Sequence, residues 1–126
     1  MSNRAAAEWF ERLGESMAGV AEDAGFRALG PPADRHGSWE IALHRPGDLD
    51  RFVSLTFTET PGLYDLELWA GAEDGARFVR RLVAQLGVRW EQLEDPALVE
   101  RVRDLLGRAM ELAGDLQVSD LAEAYL

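Results

Sequence analysis

The stretch SWEIALHRPGDLDRFVSLTFTETPGLYDLELWA, residues 38–70, decides how this chain folds, because its apolar residues recur at every second position. Trp39, Ile41 and Leu43 alternate with Glu40, Ala42 and His44. After a turn at Pro46-Gly47 and the acidic stretch to Asp50, Val53, Leu55 and Phe57 alternate with Ser54, Thr56 and Thr58. Thr60-Pro61-Gly62 turns the chain again, and Tyr64, Leu66, Leu68 and Ala70 alternate with Asp65, Glu67 and Trp69. Successive side chains of a strand point to opposite faces, so each run has one apolar and one mostly polar side. Three such runs joined by short Pro-Gly turns predict an antiparallel meander.

Outward from this stretch the period changes. Upstream, Trp9, Phe10, Leu13, Met17, Val20, Ala21 and Ala24 recur at three- and four-residue steps and predict an amphipathic helix over 5–24. Ser2 or Asn3 can cap its start, and Gly25 suits a left-handed residue just past its end. Residues 26–29 read as a short first strand before a Gly-Pro-Pro loop that no helix can cross. Downstream, Gly71-Ala72-Glu73-Asp74-Gly75 reads as a strand-to-helix turn. Phe78, Val79, Leu82, Val83 and Leu86 then line one side of an expected helix over 73–86, stopped by Gly87. Asp95-Pro96 pairs an N-cap with proline at the first helical position and opens a helix to Leu116. Its stripe of Leu98, Val102, Leu105, Ala109, Leu112 and Leu116 is widened by Val99, Leu106, Met110 and Ala113, broader than one contact requires. A neighbouring helix or a second subunit is expected to cover the rest. A homodimer through this helix or the Tyr125-Leu126 end is the preferred form. Ser119 can cap a last short turn carrying Leu121, Tyr125 and Leu126.

The fold class expected is α+β in one domain spanning 1–126. An N-terminal helix comes first, then an antiparallel meander of three to four strands, then two to three C-terminal helices packed on one face of the sheet. The plan resembles bacterial immunity proteins and secretion chaperones, although no motif of either family is present and no family is assigned.

Composition narrows function by exclusion. The chain has 126 residues, 23 acids against 13 cations and a formal charge of −10. All its cations are arginines, which reads as base composition of the genome more than as arginine chemistry. Such a charge repels nucleic acid and anionic membrane surfaces, so neither is expected as a partner. No cysteine is present, which removes disulfides, thiol catalysis and thiolate metal sites. No apolar run reaches membrane-spanning length and no leader opens the chain, so the expected location is the cytoplasm.

Catalytic groups are scarce. His36 and His44 are the only histidines, and no nucleophile elbow accompanies any serine. His44, Glu40, Asp65 and Glu67 share the outer side of the proposed sheet, but no metal-ligand spacing supports a site there. No cofactor is expected. Glu40, His44, Phe52, Asp65, Glu67 and Trp69 on that side instead combine two large aromatics with carboxylates, which is the composition of a recognition surface. The basic run Arg77, Arg80, Arg81 and Arg89 is the one reversal of charge, read as a solvated helix face or a contact for an acidic partner.

The function expected from these residues is a non-enzymatic protein-binding module, immunity-, chaperone- or accessory-subunit-like, engaging a partner with a basic surface. The alternative is a small-molecule-binding or enzymatic α+β domain with a cavity between helices and sheet, lined by Trp39, Phe57 and Tyr64.

Overall fold

The computed structural model describes residues 3–30, 33–34 and 38–123. It is α+β: helix α1 (Asn3–Asp23), an antiparallel sheet, and helix α2 (Pro96–Asp115). The sheet contains β1 (Arg27–Ala28), β2 (Ala33–Asp34), β3 (Ser38–Arg45), β4 (Asp50–Thr60), β5 (Leu63–Glu73), β6 (Arg77–Val88) and β7 (Ala122–Glu123). Short 3-10 turns at Trp90–Glu94 and Val118–Asp120 flank α2. The long strands β3 to β6 form a meander, with β1 and β2 paired to the free side of β3 and β7 to that of β6.

The alternation in residues 38–70 becomes the register. Trp39 lies opposite Phe57, Ile41 opposite Leu55 and Leu43 opposite Val53, and Phe57 and Leu55 face Leu66 and Leu68 on the next strand. All of these are buried under the two helices. Phe57 sits at the centre of an aromatic group, with ring centroids 4.6 Å from Tyr64, 5.0 Å from Trp9 and 5.7 Å from Phe10.

Two expectations are corrected. The segment expected as a helix over 73–86 is strand β6, so the chain has two α-helices among the described residues and a larger sheet than three or four strands. The physical cause is a bulge. Leu68 pairs with Ala84 but Trp69 pairs with Leu82, so Val83 is an extra residue that shifts the phase of β6. Apolar residues then fall on both faces at helix-like spacing, while Asp74-Gly75, with Gly75 at φ +93°, closes a hairpin rather than starting a helix. Asp74 accepts the backbone N–H groups of Ala76 and Arg77 at 3.2 and 2.9 Å, which fixes that turn.

The second correction is confined to one position of α2. Leu105, expected in its buried stripe, is half-buried. Val102, Leu106, Ala109, Met110 and Ala113, all members of the expected stripe or its widening, face inward. The alanines let the helix lie close to β4 and β5, and α1 meets its neighbouring side, so the wide stripe serves two neighbours within one chain. The capping side chains expected at Ser2 or Asn3, the loop carrying His36, and Tyr125 and Leu126 lie outside the described residues.

Both helices end at the same end of the sheet, beside the β3–β4 turn. Gly25, at φ +82°, terminates α1: its N–H donates to Glu22 O, and that of Phe26 donates to Ala21 O. Neither helix carries a basic residue in its last turn, so neither offsets the partial negative charge of its own C-terminus. The sheet supplies the cations. Arg45 and Arg51 lie directly opposite one another on β3 and β4. Arg45 Nη1 donates to Ala24 O at 3.2 Å, while Arg51 Nη1 donates to Ala113 O at 2.6 Å and Leu116 O at 2.8 Å.

Candidate functional site

With both helices on one side, the opposite side of the sheet carries the polar half of each alternating run. The register sets its side chains in cross-strand rows. Glu40, Thr56, Glu67 and Gln85 form one row, and Ala42, Ser54, Trp69 and Leu82 the next; His44, Phe52, Gly71 and Arg80 form a third. Ser38, Thr58, Asp65 and Gly87 lie beyond the first row, and Glu73 with Phe78 beyond the third. At about 4.8 Å between strands, a row of four spans about 14 Å.

The six residues singled out in the sequence, Glu40, His44, Phe52, Asp65, Glu67 and Trp69, all lie on this face and are half-buried. They divide into two zones. At one end, Gln85 Nε2 donates to Asp65 Oδ1 at 3.1 Å and to Glu67 Oε2 at 3.2 Å, and Trp69 Nε1 donates to Glu67 Oε1 at 3.2 Å. These bonds hold the carboxylates in place without neutralising them. At the other end, His44 stacks on Phe52 with ring centroids 5.0 Å apart, and its Nε2 lies 3.4 Å from Asp50 Oδ1.

Four members of this face lie in the segment expected as a helix: Phe78, Arg80, Leu82 and Gln85. The Arg80 guanidinium lies 4.2 Å from the centroid of the Trp69 ring, a cation–π contact across β5 and β6. Phe78 and Leu82 are 43% and 45% exposed, which makes them large apolar groups open to solvent. The Asp74-Gly75 pair was the signal that would have found them, since Asp-Gly between two apolar runs marks a hairpin. Gly71 is required here. A Cβ on it would stand 2.7 Å from Val79 O, so only glycine lets β5 and β6 keep their spacing. Beside Gly71 lies a hollow of about 290 Å³ walled by Phe52, Trp69, Phe78 and Arg80.

Chemically, this face sets aromatic rings beside carboxylates. His44 meets the Phe52 ring and the Asp50 carboxylate. Among the described residues no group of three His, Asp or Glu side chains could hold a metal ion, and no helix is long and apolar enough to cross a membrane. Trp39 and Tyr64 are in ring contact with Phe57 within the aromatic core. A separate cleft of about 820 Å³ opens between α1 and the β1–β3 side, lined by Gly14, Met17, Ala21, Phe26, Ile41 and Leu43.

Fold and site together define an α+β domain whose two helices cover one side of an antiparallel sheet and whose other side presents aromatics beside carboxylates. Compared with protein-family models, curated proteins and solved structures, the chain matches none of them.

Proposed function

We propose that this chain is a non-enzymatic protein-binding module, of the kind an immunity protein, chaperone or accessory subunit provides. In this reading it holds a basic partner protein across the outer face of its sheet. The observation that carries this reading is the group Phe52, Trp69, Phe78 and Leu82 on the solvent side, bordered by Glu40, Asp65 and Glu67. Solvent-facing apolar clusters rimmed by charge mark contact surfaces, and aromatics there carry most of the binding energy. The rim carboxylates and the overall charge of −10 favour a cationic partner by steering its approach.

The test is binding of the partner recovered from the source organism to wild type and to two variants. Trp69→Ala should speed dissociation and cost about 2 kcal/mol, near thirtyfold in affinity. Asp65→Arg should slow association and flatten its salt dependence. Both should melt close to wild type. Unchanged binding by Trp69→Ala, with the fold intact, removes this surface from consideration.

The 820 Å³ cleft supports a second reading, a small apolar ligand held between α1 and β3 beneath a rim of Glu11, Glu15 and Glu22. Ala18 lines this cleft and is exposed, so Ala18→Trp fills it without touching the core. Nile red binding to wild type that this variant abolishes would favour the cleft.

A further inference from the structure

The arginine run singled out in the sequence lies on the last long strand of the sheet. β6 pairs with β5 along its length on one side. On the other side β7 covers only Arg77 and Phe78. Among the described residues no strand pairs with 79–88 on that side, so a row of backbone donors and acceptors is left open. Residues 77–90 carry four arginines and no acid, in a chain whose formal charge is −10. Arg80 and Arg81 stand at one end of the open edge and Arg89 at the other, with exposed Leu82 and half-buried Val83, Ala84 and Leu86 between.

The chain already shows what this edge accepts. Its C-terminal segment lays β7 antiparallel on Arg77 and Phe78, and Asp120, from the 3-10 turn just before β7, places its carboxylate 3.2 Å from Arg81 Nη2. A short extended strand, with a carboxylate in the turn just ahead of it, is thus seated at the start of β6. A second copy would be a poor occupant of the remainder, because pairing β6 with β6 brings one arginine run against another. Arginines on an edge strand deter that self-pairing while leaving the edge open to a segment of opposite charge.

We propose that the open edge of β6, residues 82–88, receives an extended peptide segment of a partner protein as an added strand, with an apolar middle and acidic ends. Backbone hydrogen bonds to the edge supply affinity, and the arginines at both ends set register and charge preference. The segment needed is short, since seven paired residues span about 23 Å. The outer-face reading is not required: the two surfaces share Arg80 but take partners of opposite charge.

The experiment titrates the isotope-labelled protein with a synthetic probe peptide of alternating valine and threonine, bearing two aspartates at each end. Expected are slowed amide exchange and shift changes along 82–88, with binding about tenfold weaker for the same probe carrying lysines. The double variant Arg80→Glu, Arg81→Glu should reverse that preference, and its melting temperature checks that it is folded; Arg89→Glu gives a second, independent variant. Glu40→Arg, across the sheet on β3, should leave probe binding unchanged, which separates this proposal from the outer-face reading. Absence of binding at millimolar probe, equal binding of both probes, or protection mapping to β3 and β4 would each overturn the proposal. So would edge protection that appears without probe as the particle doubles in mass, which would make the occupant a second copy.

Discussion

Removing the Arg51 guanidinium tests whether the sheet, rather than the helices, holds the helix ends in place. Arg51→Met keeps an unbranched apolar stem on β4 but deletes the donor that bonds Ala113 O at 2.6 Å and Leu116 O at 2.8 Å. Hydrogen bonds involving a charged group contribute about 1.5–3 kcal/mol, and a cation at a helix C-terminus about 0.3–1 kcal/mol more. The freed carbonyls regain some water, so the expected net loss is about 2–3 kcal/mol, or roughly 6–15 °C in melting temperature for a domain of this size. Arg51→Lys retains the charge without the fork of donors and should lose about half as much. Arg45→Met deletes one longer bond, 3.2 Å to Ala24 O, and should cost about 1 kcal/mol. The two arginines face one another across β3 and β4, so each single change also relieves a like-charge repulsion. The double variant should therefore lose more than the sum of the singles, by a few tenths of a kcal/mol. Urea unfolding followed by circular dichroism measures all four. A loss below about 0.5 kcal/mol for Arg51→Met, with an unchanged denaturant slope, would refute the reasoning.

Other outcomes follow from single positions. Gly71→Ala places a Cβ 2.7 Å from Val79 O and should destabilise by about 1–3 kcal/mol through forced separation of β5 and β6. A variant as stable as wild type would show that these strands part freely. Leu66, with no exposed surface, should cost about 2–5 kcal/mol when cut to Ala, and half-buried Leu105 clearly less; equal losses would contradict the orientation of α2. The Asp74 carboxyl is held below its ordinary value of 3.8, first by the Arg77 side chain and then by the backbone N–H groups of Arg77 and Ala76. Its contribution is complete above that value and disappears as pH falls through the lower, folded value. The melting-temperature gap between wild type and Asp74→Asn should therefore be constant above about pH 5 and close in acid; a gap that widens in acid would reverse this assignment. Tyr64 is pushed above its ordinary value of 10.0 by burial and then by Glu59. Its protonated ring favours the fold below that value, and the advantage should fade as alkali rises through 10; Tyr64→Phe, lacking the hydroxyl, should fade less.

The meander was legible in residues 38–70 because one side of the sheet is buried. Burial forces a period of two, and a one-residue slip would turn Leu55, Phe57 and Leu66 outward together. The same parity placed Glu40, His44, Phe52, Asp65, Glu67 and Trp69 on the opposite side. Local chemistry likewise marked the end of α1 at Gly25 and the start of α2, where Asp95 Oδ1 accepts Ala97 N–H at 2.9 Å.

Strand β6 was not legible in this way. Its two faces both carry apolar groups, and the extra residue at Val83 breaks the period, so Phe78, Leu82 and Leu86 fall at the spacing of a helix. What makes the segment a strand is the open edge of β5, which the Asp74-Gly75 turn delivers it to, and that edge exists only after the meander has formed. Phe78, Arg80, Leu82 and Gln85 joined the outer face by the same step. The roles of Arg45 and Arg51 depend still more on tertiary structure. Their partners are backbone carbonyls 21, 62 and 65 positions away, and a carbonyl carries no mark in a sequence. Periodicity reports which side of an element faces the core; which backbone groups meet at its ends is decided when the elements pack.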